Sequence, residues 1–502
     1  MKQDINRFLQ TKTNRPLLLL NILLATVYFG ILIFYFQRGN LVLYTLLMLG
    51  ELFHLWQLMT FGYTIWNTQD KHKFDSGFKP PVDIFITVCG EPIELVEETL
   101  VAIKAMKYPI KNIFVCNDGF VAKKDNWKDI ENLCVNLGVG CFTRQKPGGA
   151  KAGNLNNALK QTNSDFFVVF DADHVPHSDF LTKTMGYLAD DKVAFVQTPQ
   201  YYKNYAENTV TMAAWEQQSL FFGPILKGKN RLESVFMCGT NMIVRREAVM
   251  QVGGMCETNI AEDFLTSLFI HEKGWKSVYV PEILAEGLAP SDFLSYYKQQ
   301  FRWSRGSLEV IFKYNPLFRK GLTWKQKIQY LASASYYLTG LVVVIDAFLP
   351  IIFFYTGLVP IYTATMLIAA IFIPYMIINI YALQYSCNFS FSFLALSYCI
   401  SSFPIHIKAI WAVLTGQKTT FSVTSKSQIK GNFLNLVIPQ IAYIVIFIIG
   451  ALFAIFKEGL SSSVVTNISW ALLNIGVFAP FIISAINVDF IQTKPNPRLL
   501  SS

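Results

Sequence analysis

The stretch PLLLLNILLATVYFGILIFYF, beginning at Pro16, is the feature that most limits what this chain can fold into. A helix needs ~20 apolar residues to cross a hydrocarbon layer, and this run supplies them. It is too long for a signal-peptide core and has no small-residue cleavage site, so it reads as a retained span. The turn QRGN leads to a second apolar run near 41–61, and others return near 329–356, 360–383, 393–414, 435–456 and 464–488. Most charged residues lie between the two groups, which points to a water-soluble domain hung between membrane segments. Lys2, Arg7, Lys12 and Arg15 precede the first span. The positive-inside rule then puts the N-terminus, and everything after the second span, in the cytoplasm.

The segment 393–414 carries Pro404, His406 and Lys408. If it crossed, Lys418, Lys426 and Lys430 would lie outside, so an interfacial helix is expected instead. Two spans before the soluble domain and four after it follow. The tail, with Lys494 and Arg498, returns to the cytoplasm. This is the plan of a multi-pass plasma-membrane protein with its domain in the cytoplasm.

Composition supports a membrane protein, with 52% hydrophobic and 15% charged residues. The net charge of +9 is what cytoplasmic flanks of spans provide. No nucleic-acid-binding motif accompanies it, so nucleic acid is not an expected partner. The eight cysteines show no CxxC pair and no His–Cys cluster, which argues against structural zinc and a disulfide framework.

From about residue 80 the pattern changes. VDIFITV, NIFVCND and DFFVVFDAD are short strand-like runs separated by helix-like ELVEETLVAIKAM and GNLNNALKQ. This alternation predicts βαβ units and a mostly parallel sheet, whose active groups lie beyond the carboxyl ends of the strands. Asp118 and the pair Asp171 and Asp173 fall there. The expected layout is membrane helices over 1–65, an α/β domain over 66–290 and amphipathic interfacial helices over 291–328. A membrane region over 329–490 and a tail over 491–502 follow.

Two acids spaced D-x-D at a strand end suit Mg²⁺ or Mn²⁺, because hard oxygens bind the ion and leave room for phosphate. The same spacing also fits a polar strand exit, or a phosphatase whose first Asp is a nucleophile. The turn GGAKAGNLNNALK has P-loop glycine spacing, but Asn154 stands where the P-loop lysine belongs. What remains is a glycine-rich turn into a helix, with Lys151 free to reach a phosphate. Glu262 and Asp263 open an amphipathic helix, either as capping charges or with Asp263 as a general base. The run YYKQQFRWSRG adds Gln299, Arg302 and Trp303, on a helix whose interleaved basic and aromatic residues suit a membrane interface. Asp346, inside LVVVIDAFLP, is an ionisable group within a span, which a transporter would also show.

In this order, the set D-G, K-A-G-N, D-A-D-H-V-P, E-D, Q-x-x-R-W and F-x-V-T-x-K resembles the membrane-embedded processive family 2 glycosyltransferases. The bacterial cellulose synthase catalytic subunit is most similar. The resemblance runs from about 80 to 430 and implies a GT-A-type cytoplasmic domain inserted between transmembrane helices. It implies a UDP-sugar donor, most simply UDP-glucose made into a β-glucan, a growing polysaccharide acceptor and a divalent metal. By the resemblance, Asp118 contacts the uridine part, and Lys151, Gln299 and Arg302 serve the donor diphosphate. Asp171 and Asp173 hold metal and diphosphate, and Asp263 is the catalytic base. Cys238, Glu262 and Trp303 face the acceptor, and Phe421, Val423, Thr424 and Lys426 belong to a gating loop within 415–432. His174 gains no such role and is expected to make a structural hydrogen bond.

The sequence departs from the family at Asn117-Asp118-Gly119, at Ala261-Glu262-Asp263, and at CGEP after the first strand. These departures bear on base and sugar selectivity more than on reaction type. A synthase of another polysaccharide, or a non-processive lipid-linked sugar transferase, shares most of the motifs. An accessory export subunit is compatible with this plan, and no PilZ module is expected after the last span.

Overall fold

A computed structural model describes residues 9–362, 365–417, 429 and 431–486. The chain enters through α1 (Arg15–Phe34) and α2 (Leu41–Ile65). Asn14 and Asn40 cap their starts by accepting peptide N–H groups, which satisfies donors the helices cannot. At the far end of this hairpin Gln37–Arg38 pairs antiparallel with Ile361–Tyr362. Two inter-helix connections are thereby tied together on one side.

The middle of the chain forms a seven-stranded sheet. Its strands are β1 (Val82–Val88), β2 (Lys111–Asn117), β3 (Gly140–Thr143), β4 (Phe166–Asp171), β5 (Val193–Gln197), β6 (Met242–Arg245) and β7 (Lys276–Tyr279). The order is β7-β5-β6-β4-β1-β2-β3, and only β6 runs antiparallel to its neighbours. Side chains alternate between faces, as strand geometry requires. Phe85, Phe167 and Val169 enter one core, while Ile84, Ile86, Val168 and Phe170 enter the other. Both faces are covered, which is why these strands read as near-continuous apolar runs.

Behind the sheet come α3 (Ala150–Leu159), α4 (Glu262–Glu272) and the amphipathic α5 (Phe293–Tyr314). The membrane region contains α6 (Trp324–Ser335), α7 (Thr339–Thr356), α8 (Thr365–Ser386), α9 (Phe393–Ser401), α10 (Phe403–Leu414), α11 (Ile438–Glu458) and α12 (Ser462–Ala485). Its core is continuous with that of the α/β domain. The rings of Phe293 and Phe481 lie 4.7 Å apart, those of Tyr296 and Tyr398 5.2 Å, and those of Tyr398 and Phe481 5.1 Å.

Seven helical segments among the described residues are long and apolar enough to cross a membrane, and 393–414 is one of them. That segment differs from the rest in two ways. It breaks at Ser402 into α9 and α10, and 56% of its most apolar stretch is buried, against 11–39% in the others. Pro404 sits in the first turn of α10, where a missing N–H does no harm. α10 packs along α5, the helix that carries Q-x-x-R-W. The gating-loop residues Phe421, Val423, Thr424 and Lys426 lie outside the described residues.

The α/β domain meets the membrane helices along a short helix, Leu226–Arg231. Gly228 lies directly against the Thr64 carbonyl of α2, and a Cβ there would overlap it. The buried Lys229 ammonium donates to the Gln329 carbonyl of α6 at 2.9 Å, and burial pushes its pKa down to about 7. Gln329 Nε2 in turn donates to Thr64 Oγ1 at 2.8 Å. Gly228→Ala is therefore expected to cost about 1–3 kcal/mol by overpacking this junction. A lowered melting temperature of the detergent-solubilised chain is the check, and an unchanged one refutes the packing argument.

Candidate active site

The register of the sheet builds the site. Thr87 of β1 lies opposite Asp171 of β4, and Val88 lies opposite Asn117 of β2, so the acidic strand ends share one edge. Thr87 Oγ1 donates to Asp171 Oδ1 at 3.0 Å, and the Asp171 peptide N–H donates to Thr240 Oγ1 at 2.9 Å. Lys151, in the first turn of α3, forms an ion pair with Asp171. Burial works against the Lys151 charge, but Asp171, Glu262 and Asp263 together hold its pKa above the ordinary lysine value. Burial likewise opposes charge on Asp171, while Lys151 and then His174 hold the carboxyl below its usual range.

Asp118 follows β2 and is buried. Arg144 grips both of its oxygens, donating from Nε and Nη2 at 2.8 and 2.7 Å. The same guanidinium donates to the carbonyls of Gly148 and Ala150. Gly149 holds φ +64°, a left-handed conformation that glycine adopts without steric cost. One arginine thus ties Asp118 to the turn that presents Lys151. Burial raises the Asp118 pKa even against the opposing arginine.

Asp173 is buried, and its Oδ2 accepts the Leu288 peptide N–H at 3.1 Å. The expectation for His174 fails. Among the described residues neither ring nitrogen has a hydrogen-bond partner, and Nδ1 lies 3.4 Å from Asp173 Oδ1. The ring fills the space left by the missing side chain of Gly287, where a Cβ would overlap it. Asp171, Asp173 and His174 each offer a ligand atom, all within 4.8 Å of one another. Two carboxylates and an imidazole with unsatisfied nitrogens make a donor set that fits Mg²⁺ or Mn²⁺.

Glu262 and Asp263 lead α4 into the same space. Gly239 faces them, and a Cβ there would sit 3.1 Å from Asp263 Oδ2 and 3.7 Å from Lys151 Nζ. Asp263 Oδ1 accepts the Phe264 peptide N–H at 2.7 Å. Burial raises both carboxyl pKa values above the ordinary range. If Asp263 must be ionised to work, turnover should rise with pH through a limb shifted above the usual carboxylate range. A kcat–pH profile tests this, and a limb near pH 4, the ordinary value for a free carboxyl, would contradict it.

Cys238 lies close to this acid, with its peptide N–H donating to Gln197 Oε1 at 2.8 Å, and burial pushes its thiol up. From α5, Arg302 comes within electrostatic reach of Glu262, Asp171 and Tyr202. Gln299 and Trp303 are half-buried on the same helix, and Gln299 Oε1 is buried with no hydrogen-bond partner among the described residues. Electrostatic contacts thus bring Lys151, Asp171, Glu262, Asp263 and Arg302 together. Asp118 stands apart from them, linked through Arg144 and the glycine turn. Sequence reading missed Arg144, Thr87 and Thr240. Arg144 directly follows β3, so its place at the shared strand edge is the one signal that marks it.

A mixed α/β sheet with acidic strand ends, held between candidate membrane helices, has the GT-A-like fold. A mannosyltransferase from Pyrobaculum calidifontis, solved with GDP-Man and Mn2+, has the same fold over 75% of this chain and all of its own, with a TM-score of 0.53 at 16% identity. The model for glycosyltransferase-like family 2 matches residues 80–306, and that for cellulose synthase matches 250–491. The chain belongs to the family 2 glycosyltransferases and is cellulose synthase-like. It is 29% identical to a cellulose synthase catalytic subunit (UDP-forming) of Pseudomonas fluorescens, over 84% of this chain and 58% of the relative. It is 30% identical to a putative cellulose synthase 2 of Komagataeibacter xylinus, over 69% of this chain but 23% of the relative. The chain thus spans about a quarter to three-fifths of the length of these relatives.

Proposed function

We propose that the chain is a processive inverting glycosyltransferase. It extends a polysaccharide from a UDP-sugar, most simply UDP-glucose into a β-glucan, and passes the polymer through its membrane helices. The observation that carries this reading is the convergence of Lys151, Asp171, Asp263 and Arg302 on one site, beside a helix packed on the bundle. The names of the relatives agree with it.

The reaction follows from the placement of charge. Asp263 takes the proton from the acceptor hydroxyl, and the freed oxygen attacks the anomeric carbon from the face opposite the nucleotide. The bond from that carbon to the diphosphate oxygen breaks, and UDP leaves with both electrons. Inversion results, with no covalent enzyme intermediate. Lys151 and Arg302 are the cations that meet the departing diphosphate. Asp171, Asp173 and His174 would hold Mg²⁺ or Mn²⁺, which when bound neutralises diphosphate charge. Asp118, fixed by Arg144, would meet the base, and Trp303 would stack on the acceptor's terminal sugar.

The α/β domain is assigned to the cytoplasm and the helices to the plasma membrane, because the basic flanks demand that orientation. The test is to screen radiolabelled UDP-sugars with the full chain in liposomes. UDP release with long polymer from one donor supports the reading, and single transfers to lipid sink it. Trp303→Ala is expected to shorten the product by at least several-fold while UDP binding persists. Full-length product from that variant would remove the stacking role.

A further inference from the structure

All eight cysteines are free thiols, and two of them meet. Cys134 lies in the last turn of the helix Trp127–Leu137, and Cys141 is the second residue of β3. Gly138 ends the helix at φ +65°, and the Val139 peptide N–H donates back to the Cys134 carbonyl at 3.0 Å. That bond turns the chain so that β3 returns over the helix it has just left. Phe142 then enters one core, while Val139 and Cys141 enter the other beside Cys134, Ile130 and Leu133. There the two thiols are in hydrogen-bond contact, Cys134 donating.

The two sulfurs differ in access. Cys134 is 0% exposed, whereas Cys141 is half-buried and opens on a cavity of about 600 Å³. Arg144, Lys146, Lys160 and Glu257 are among the other residues that line it. Three cations against one carboxylate make an electropositive approach, the surrounding in which thiolates form. The hydrogen bond from Cys134 holds the Cys141 thiol below the ordinary cysteine range, although burial and the Glu131 charge oppose it. The Thr143 hydroxyl, 3.8 Å from Cys141 Sγ, acts in the same direction as Cys134. An accessible thiol with a second thiol directly behind it is the arrangement that oxidants close.

We infer that Cys141 and Cys134 form a redox-sensitive pair, which a hydroperoxide closes to a disulfide. The Cys141 sulfur attacks one peroxide oxygen and the O–O bond breaks. A sulfenic acid is left on Cys141, and the other oxygen departs as water or alcohol. The Cys134 sulfur then attacks the Cys141 sulfur, the S–O bond breaks, and hydroxide leaves with the Cys134 proton as water. The two thiols lose two electrons and the peroxide gains them. Arg144 stands three residues beyond Cys141, just past the end of an edge strand, so closing the pair pulls on the residue that grips Asp118.

The linkage is independent of the glycosyltransferase reading, and only its effect on UDP rests on it. The full chain in detergent is treated with hydrogen peroxide, alkylated without reduction, digested and mapped by mass spectrometry. A peptide linked through Cys134 and Cys141 is expected ahead of any other cysteine product, and a phosphine reductant should reverse it. UDP affinity of the oxidised sample should fall at least several-fold and return on reduction. Cys134→Ser should stop at a sulfenic acid on Cys141 that dimedone traps. Cys141→Ser should give neither product and keep its UDP affinity under peroxide. An unaltered chain that yields no linked peptide, or links either residue to another cysteine, overturns the pair without reference to any variant. A fully linked chain with unchanged UDP affinity overturns its control of Asp118. Absence of UDP binding before oxidation counts instead against the donor site, and the link is still judged by mass.

Discussion

Asp263→Asn is expected to lower sugar transfer by roughly 10²–10⁴-fold, the usual worth of a general base, while UDP still binds. The substitution keeps size and shape, and an amide oxygen can still accept the Phe264 N–H that Asp263 accepts at 2.7 Å. What it removes is the basic oxygen Oδ2, which lies against Gly239, where a Cβ would come within 3.1 Å of it. UDP release and UDP affinity, measured on the same sample, separate the base from a donor contact. Normal turnover would end the assignment. Glu262→Gln is the informative neighbour. It shares the burial and the raised pKa, but acts on the acceptor in this scheme, so its defect should fall more on KM than on kcat.

The second large effect is expected at Asp173. Asp173→Asn should abolish the stimulation of UDP binding by Mn²⁺, a loss exceeding the ~10–100-fold typical of groups that only support a metal ligand. The fold argument is direct. Asp173 is buried, has one oxygen committed to the Leu288 N–H, and points the other at the shared space with Asp171 and His174. A Mn²⁺ titration of UDP binding is the measurement, and an unaltered titration would remove the metal from this triad. His174→Ala should weaken the same titration, because it removes one of the three ligand atoms of this cluster.

Much of the candidate site was legible because its residues cluster at strand ends and helix starts. Asp118, Asp171 and Asp173 follow apolar runs of strand type, and Lys151, Glu262 and Asp263 open helices. Period and punctuation in the sequence mark such places. Residues that act across the fold leave no such mark. Arg144 serves Asp118 only because β2 and β3 pair in register, and Thr87 serves Asp171 only because β1 and β4 do. His174 was misjudged for a related reason. A histidine beside two acids invites a hydrogen bond on paper, but its ring packs against Gly287, and at 3.4 Å from Asp173 Oδ1 its Nδ1 makes none among the described residues. The division of 393–414 at Ser402 was equally hidden, since apolarity runs across the break.

The shared aromatic packing of Phe293, Tyr296, Tyr398 and Phe481 has a thermodynamic consequence. Where two regions keep separate cores, each can melt without the other. Here rings from the catalytic sheet's side interleave with rings from the bundle, so the two share one cooperative transition. Lateral pressure in a surrounding bilayer would act on the helices, and these rings are the route by which it is expected to reach the stability of the α/β domain.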